Sequence, residues 1–308
     1  MEKETNLQKI TALERSIGSD FVLVSQGDEP KALYIVINGR FDIYRNGIKI
    51  AEINKRGDYI GEISALMNST HSATVKSKSP STVLEIKLNN IQSFFSHSPE
   101  MAISLARKLS ERLVEVNKKF AQIINKPKVI NSLILERSKL QNPKSMVKVD
   151  PIDLKSLKSL YVEALENVEI IRQGHPPDAL YILVDGEVEI IKNGKKIAIE
   201  SKPGYYLGDV SVLRKSAANA TVKTTKKSIL IEIKADKVDN FLYHSPEIPI
   251  SIARKLAERI LNINDTYLDF LVDELNHQSK KKELNPKHQI DKMKEKIKGL
   301  LEFESSDV

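Results

Sequence analysis

Length, composition and charge limit what this chain can be. Its 308 residues, of which 41% are hydrophobic, are enough for two compact domains of roughly 120–150 residues each. The absence of cysteine excludes disulfides, thiolate metal sites and cysteine nucleophiles, and it suits a reducing cytoplasm, the predicted location. No apolar run approaches the ~18–20 residues of a membrane span, and the charged start MEKETNLQKI does not predict a secretion signal. The net charge of +7 leaves an anionic partner open.

The first part of the chain is predicted to form short β-strands. Runs rich in β-branched and aromatic residues lie at Leu33–Ile37, Arg40–Tyr44, Ile48–Ile53, Thr74–Ser77 and Thr82–Lys87. Asn38-Gly39 and Asn46-Gly47 separate the first three runs and predict hairpin turns, because both residues of an Asn-Gly turn tolerate positive φ. Many short antiparallel strands with tight turns indicate a small barrel or jelly roll.

After the strands the apolar pattern changes to a helical period. Pro99-Glu100 predicts a helix start, and Met101, Leu105, Leu109, Leu113 and Val116 then recur at helical spacing. Two further helices are predicted at Lys128–Leu140 and Ile152–Leu165. Residues 276–308 are highly charged and weakly apolar, which predicts a solvated helix or a partly disordered tail.

The chain repeats itself at an offset of 147 residues. Pro30–Tyr34 (PKALY) aligns with Pro177–Tyr181 (PDALY), and His97–Glu100 aligns with His244–Glu247. The register holds without insertion from Gln26 to Asn117, and close to half of the positions are identical. Two units of this size indicate a domain duplication and not a solenoid.

The predicted fold class is therefore α+β, mostly β with helices. We expect two tandem eight-stranded jelly-roll barrels, each flanked by helices. The predicted limits are 1–125 for the first domain, 126–151 for a helical linker, 152–270 for the second domain and 271–308 for a charged C-terminal helix or tail.

One loop in each copy has the residues of a small-ligand site. Gly61-Glu62-Ile63-Ser64, and Gly208-Asp209-Val210-Ser211 in the second copy, combine a glycine, an acid, an apolar residue and a small residue. This pattern favours a short helical turn whose first N–H groups can bind an anion. The acid can accept hydrogen bonds from a sugar hydroxyl, so the pattern predicts a sugar-phosphate ligand.

Ile60–Thr74 and Leu207–Thr221 resemble the phosphate-binding cassette of the cyclic-nucleotide-binding family, F-G-E-L-A-L followed by P-R-A-A-T, without a gap. That family includes the catabolite activator protein and the regulatory subunits of cAMP-dependent protein kinase. The flanking Gln26-Gly27-Asp28 and the long helix after the strands are also similar to the family pattern. The resemblance covers nearly all of residues 7–125 and 152–270, and it implies a barrel that binds a cyclic nucleotide.

The resemblance also implies which residues bind the ligand. They are Gly61, Glu62, Ile63, Ser64, His71, Ser72 and Ala73 in the first copy, and Gly208, Asp209, Val210, Ser211, Ala218, Asn219 and Ala220 in the second. His71 and Ala218 stand where the family has its phosphate-binding arginine. We therefore expect the first site, with Glu62 and a titratable His71, to bind more tightly, and to do so increasingly as pH falls from about 8 to 6.

The leading hypothesis is a non-enzymatic cytoplasmic sensor that binds cAMP, cGMP or a cyclic dinucleotide and passes the signal on by helix movement. In the alternative, the barrels have lost nucleotide binding and act as a protein-interaction scaffold. No cofactor, metal site or catalytic residue is predicted, since the histidines are scattered and no nucleophile motif is present. We expect a protein partner and no sequence-specific nucleic acid, because no helix-turn-helix follows the second copy. A homodimer through the long helices is left open.

Overall fold

The structure, a computed structural model, describes residues 12–123 and 153–279. Within these ranges the chain divides into two compact units, one of residues 12–94 and 268–279 and the other of residues 95–123 and 153–267. Each unit contains one β-rich barrel. The predicted domain limits at 125, 151 and 270 stay predictions, and the predicted helix Lys128–Leu140 lies outside the described residues.

The first barrel is an eight-stranded jelly roll. Its strands are β1 Leu13–Ile17, β2 Val22–Val24, β3 Ala32–Asn38, β4 Phe41–Arg45, β5 Ile48–Ile53, β6 Tyr59–Ile60, β7 Thr74–Ser77 and β8 Ser81–Lys87. They form two antiparallel sheets in the orders β1-β8-β3-β6 and β2-β7-β4-β5. This order confirms the predicted barrel, and the five strands predicted from the sequence are found within one residue of their expected limits.

The second barrel repeats the same topology. Its strands are β9 Tyr161–Ala164, β10 Glu169–Ile171, β11 Ala179–Asp185, β12 Val188–Lys192, β13 Lys195–Glu200, β14 Tyr206–Leu207, β15 Thr221–Thr224 and β16 Ser228–Lys234. The sheet orders are β14-β11-β16-β9 and β10-β15-β12-β13. Corresponding strands, such as β1 and β9 or β8 and β16, thus have the same neighbours in both barrels, as expected for a tandem duplication.

Helices follow or interrupt the strands at matching places in both copies. They are α1 Glu62–Met67, α2 Ile91–His97, α3 Pro99–Ile123, α4 Asp209–Leu213, α5 Val238–His244 and α6 Glu247–Ser279, with 3-10 helices at Leu88–Asn90 and Leu154–Leu160. The predicted helix start at Pro99 is confirmed. No helix of the described residues is both long and apolar enough to cross a membrane. The tail beyond residue 279 lies outside the described residues.

The barrel cores consist of the inward-facing side chains of both sheets. In the first unit the cluster contains Ile17, Val36, Phe41, Val75 and Val83, and Phe41 and Val83 are fully buried. The second unit has an equivalent cluster around Leu183, Val188 and Leu230. Alternating burial along β8 and β16 shows why these runs fold as strands with one face inward.

One of the two predicted Asn-Gly hairpins is wrong. Asn46 and Gly47 have φ of 50° and 79° and close the β4–β5 hairpin, as predicted. Asn38-Gly39, in contrast, lies between β3 and β4, which belong to different sheets. Gly39 has φ of 112°, and a Cβ there would lie 2.0 Å from Oγ of Ser81, so glycine is needed for a close approach of the backbone and not for a hairpin.

The predicted helix Ile152–Leu165 is also wrong. Leu154–Leu160 form a 3-10 helix, and Tyr161–Ala164 form β9, which pairs antiparallel with Ser228–Ile231 of β16. The apolar spacing of this segment fits a helix locally, but the free edge of β16 offers strand pairing that the local sequence does not reveal.

Candidate functional site

The first cassette turns into helix α1 at Gly61. Gly61 has φ of 72°, a left-handed conformation that favours glycine, and its carbonyl accepts the first helical hydrogen bond from Ala65 at 2.9 Å. The N–H groups of Ile63 and Ser64 precede this bond and so lie outside the helical ladder. The Glu62 side chain is buried, with 8% of its surface exposed. These features match the predicted short helical turn beside an acid.

His71 lies directly against this helix start. A Cβ placed on Gly61 would be 3.1 Å from Cε1 and 3.6 Å from Nδ1 of His71. The backbone of His71 is fixed, because its N–H donates to the Asp28 carbonyl at 2.9 Å and its carbonyl accepts from Gly27 at 2.8 Å. The Gly27-Asp28 segment therefore fixes the backbone of His71, whose imidazole lies beside Gly61.

The imidazole of His71 is buried and prefers to be neutral. Only 6% of the residue is exposed. Burial lowers the pKa of His71 below 6.5, and the nearby Asp28 only partly offsets this. His71 therefore becomes protonated, and able to attract an anion, only at lower pH than the sequence predicts.

The pH dependence of stability should report this burial. Since the folded pKa of His71 is lowered, the unfolded chain binds the proton more readily, and the free energy of unfolding should fall as pH drops through about 6.5. The free energy of unfolding stops falling once the pH is below the folded pKa of His71, and it does not depend on His71 well above pH 6.5. His71→Gln cannot titrate and should lack this component when urea unfolding is compared between about pH 7.5 and 5.5. An unchanged pH slope in His71→Gln would contradict the burial of a neutral imidazole.

The second cassette has a similar backbone, but alanine takes the place of His71. Gly208 has φ of 80° and begins helix α4, and the carbonyl and N–H of Ala218 bond to Gly174 and His175 at 2.9 and 2.8 Å. Ala218 is 5% exposed and belongs to the hydrophobic core cluster. A Cβ on Gly208 would lie 3.0 Å from Cδ1 of Ile171, so an aliphatic side chain occupies the space that His71 fills in the first copy.

The carboxylate of Asp209 is in an ion pair, which the sequence analysis missed. Nη1 of Arg259, on helix α6, donates to both carboxylate oxygens at 3.1 and 2.9 Å. The side chains of Asp209 and Arg259 are 6% and 27% exposed. The Arg259 guanidinium also lies 5.4 Å from the ring centre of Tyr205. Burial alone would lower the pKa of Arg259, but Asp209 outweighs it and raises the pKa.

The repeat contains a signal for Arg259. Glu111-Arg112 and Glu258-Arg259 align at the offset of 147, so an arginine recurs on the long helix after each barrel. No motif of the cassette points to that arginine, since it lies 50 residues beyond Asp209. The expected role of Asp209 as a sugar-hydroxyl acceptor stays a prediction, and its carboxylate contacts an arginine in this structure.

The other predicted site residues lie on the same two loops. Ser64 and Ser211 are buried, Ile63 and Val210 are half-buried, and Ser72 and Asn219 are exposed, while Ala73 and Ala220 begin the approach to β7 and β15. In the first copy, Oγ of Ser64 donates to the Thr70 carbonyl at 3.4 Å. The structure thus brings each predicted set together on one loop.

Helix α3 connects to the second cassette through an ion pair. It packs against α4 and α5. Nη2 of Arg107 contacts Oδ1 of Asp239 at 2.5 Å, and Nζ of Lys215, just after α4, contacts Oδ2 at 3.3 Å. Burial alone would raise the pKa of Asp239, but the two cations lower it. Ion pairs thus connect the second cassette to both long helices, through Asp239 to α3 and through Asp209 to α6.

Across residues 12–123 and 153–279, no group of three or more His, Cys, Asp or Glu side chains could hold a metal ion. His244, one of the repeated histidines, contacts the backbone of its own helix, with Nδ1 at 2.8 Å from the Asn240 carbonyl. This contact fits a capping role for a residue at a helix end.

The chain is similar to a kinase regulatory subunit and to part of a protein kinase. It is 25% identical over 227 residues to the cAMP-dependent protein kinase regulatory subunit of Schizosaccharomyces pombe, covering 68% of this chain and 48% of the relative. It is 23% identical over 201 residues to the cGMP-dependent protein kinase of Plasmodium berghei, covering 65% of this chain and 20% of the relative. The chain thus spans about half the length, or less, of these relatives.

Two solved structures of regulatory subunits also match part of the chain. The regulatory domain of Toxoplasma gondii protein kinase A with cAMP matches at 18% identity and a TM-score of 0.27, over 77% of this chain and 83% of that one. The regulatory subunit of a cAMP-independent protein kinase A from Trypanosoma brucei matches at 18% identity and a TM-score of 0.29, over 73% and 74%.

A family model assigns both barrels. The model of the cyclic nucleotide-binding domain matches residues 14–98 and 162–245, which is more than half of the chain and includes both cassettes. In each of the two jelly rolls a glycine with positive φ precedes a short helix that begins with a buried acid. The chain belongs to the cyclic nucleotide-binding domain family, in two tandem copies.

Proposed function

We propose that this protein is a non-catalytic sensor that binds a cyclic nucleotide in its barrel cassettes and transmits binding through the long helices. The observation that supports this most directly is the first cassette, where Gly61, the buried Glu62 and His71 converge at the start of α1. Helix N–H groups and an acid side by side suit the phosphate and sugar of one ligand. The family match favours this function over barrels that have lost their ligand.

The two sites are proposed to differ in strength. The first cassette has an imidazole beside Gly61, whereas in the second cassette Ala218, at the corresponding position, is part of the core. We therefore place the tighter cyclic-nucleotide site in the first barrel, at residues 61–64 and 71–73.

We also propose a protein kinase catalytic subunit or domain as the partner. The relatives named above are regulatory subunits or parts of kinases. Helix α3, which contacts the second cassette through Asp239, is the element that couples ligand binding to such a partner.

Thermal unfolding with a panel of cyclic nucleotides tests the binding. A ligand that binds only the folded state stabilises it by about 2.7 kcal/mol at a hundred times its Kd, so the midpoint should rise by several degrees with cAMP, cGMP or a cyclic dinucleotide. Glu62→Gln should reduce the shift, because it weakens the acceptor for the sugar hydroxyl.

Glu14→Gln is the matched control, since Glu14 is an exposed acid on β1 outside the cassette. It should leave the shift unchanged. If no cyclic nucleotide raises the midpoint, or if Glu14→Gln lowers the shift as much as Glu62→Gln does, the proposed site is wrong.

A further inference from the structure

A cation lies beside the first cassette, on a strand that the cassette pattern does not include. Arg45 is the last residue of β4, and its Nε donates to the carbonyl of Ser72 at 3.2 Å. Ser72 directly follows His71, whose imidazole lies beside Gly61. The guanidinium of Arg45 is therefore held next to the loop at which the proposed function requires a phosphate contact.

Arg45 continues the inward-facing row of residues on β4. Alternate residues of a strand lie on the same face of the sheet. Phe41 is fully buried in the barrel core and Ile43 packs against that core, so Arg45 ends the same row. The part of β7 that pairs with β4 begins at Thr74, directly after cassette residues 71–73. Arg45 thus lies on the inner face of the barrel, at the end that contains the cassette.

The hairpin that carries Arg45 is attached to the cassette at a second point. The N–H of Asn46 donates to Oε1 of Gln26 at 2.8 Å, and Nε2 of Gln26 donates to Oδ1 of Asn46 at 2.9 Å. The next residue, Gly27, donates its N–H to the carbonyl of His71 at 2.8 Å. The position of Arg45 beside the cassette therefore does not depend on its own side chain alone.

The guanidinium of Arg45 retains donors for a ligand. Its Nη1 and Nη2 make no hydrogen bond or ion pair within residues 12–123 and 153–279. Four N–H groups of a planar cation suit the oxygens of a phosphate. Because the lowered pKa of His71 leaves the imidazole neutral near pH 7, the half-buried Arg45 carries the permanent positive charge at this loop.

The second barrel has the same attachment but a different cation. Lys192 corresponds to Arg45 at the offset of 147, and Gln173 bonds to Asn193 at 2.7 and 2.8 Å as Gln26 does to Asn46. Lys192 is exposed and lies opposite Lys195 of β13. Among the residues that the structure describes, no hydrogen bond joins the ammonium of Lys192 to the second cassette. Only the first barrel thus holds a cation against its cassette at this position.

We propose that Arg45 binds the phosphate of the nucleotide in the first cassette and supplies the charge that position 71 lacks. This inference rests on the proposed function, because it assigns a further contact to the same site. The N–H groups at the start of α1 would bind the phosphate on one side, and the guanidinium would bind it from β4. Glu62 remains the acceptor for the sugar hydroxyl.

Isothermal titration calorimetry of the full chain with cAMP tests the role of Arg45. Arg45→Gln should raise the Kd of the tighter site by about tenfold, as expected for the loss of a charge-assisted hydrogen bond to a phosphate. Binding by this variant should also depend less on salt. Lys192→Gln changes the same position of the second barrel and should leave the tighter Kd unchanged.

A double-mutant cycle separates a phosphate contact from a structural role. If Arg45 and the residue at position 71 meet the same phosphate, His71→Arg should gain more affinity in the Arg45→Gln variant than in the wild-type chain. A loosened cassette would give equal gains. Equal gains, or a Kd for cAMP that Arg45→Gln leaves unchanged, would overturn the inference while the proposed function stands.

Failure of the proposed function has a different result. A wild-type chain that binds no cyclic nucleotide contradicts the proposed function and the role of Arg45 together. If Arg45→Gln does not fold, Arg45→Lys decides, since it keeps the charge but loses the planar arrangement of donors. Its Kd for cAMP should rise by about threefold, and an unchanged Kd would show that Arg45 does not bind the phosphate.

Discussion

Replacing His71 with arginine should raise the affinity of the first barrel for cAMP or cGMP by about ten- to a hundredfold. A charge-assisted hydrogen bond to a phosphate contributes roughly 1.5–3 kcal/mol, which corresponds to one to two orders of magnitude in Kd. The imidazole present is buried, and its lowered pKa keeps it neutral near pH 7. An arginine at the same backbone position would remain charged beside the helix start at Gly61.

Isothermal titration calorimetry of the full chain measures this gain. His71→Gln is the matched control, because it is polar but uncharged, and it should not raise the affinity. A Kd for cAMP that His71→Arg leaves unchanged would show that the first cassette does not bind a cyclic phosphate in the manner of the family.

The corresponding change in the second barrel should have a different result. From the sequence alone, Ala218→Arg is expected to raise affinity as well, since Ala218 occupies the same cassette position. In the structure Ala218 is 5% exposed and packs in the core, so a guanidinium there would be forced into apolar surroundings. We therefore expect Ala218→Arg to lower the free energy of unfolding and not to raise the affinity for a cyclic nucleotide.

Arg259→Met should destabilise the second barrel by about 3 kcal/mol, because it leaves the buried Asp209 carboxylate without its cation. Asp209 is 6% exposed and Arg259 is 27% exposed, so the pair is more buried than a surface salt bridge. Methionine keeps most of the apolar stem of Arg259 that packs near Tyr205, which limits the effect to the charge.

Urea unfolding followed by circular dichroism measures the loss. The double variant Asp209→Asn/Arg259→Met should recover most of the stability, since it removes both charges. Arg172→Met is the control: the Arg172–Glu169 pair is 66% and 36% exposed and should contribute less than about 1 kcal/mol. If Arg259→Met costs no more than Arg172→Met, the ion pair does not hold the second cassette.

The duplication, most strands of each barrel and the position of the cassettes could be predicted from the sequence. These features depend on local patterns: β-branched runs, the Asn46-Gly47 turn and the glycine that begins each cassette helix. The repeat supports these predictions independently, because each pattern occurs twice at the offset of 147 residues. The Pro99 helix start could be predicted for the same local reason.

The surroundings of each site residue depend on contacts that form only in the folded chain. Arg259 reaches Asp209 across 50 positions of sequence, and β9 is a strand because the edge of β16 is available to it. Likewise, the burial of His71 depends on the Gly27-Asp28 backbone that binds it. Burial, ion pairing and strand edges arise from residues that are distant in sequence, so a local pattern can place a residue in the cassette but cannot set its charge or its partner.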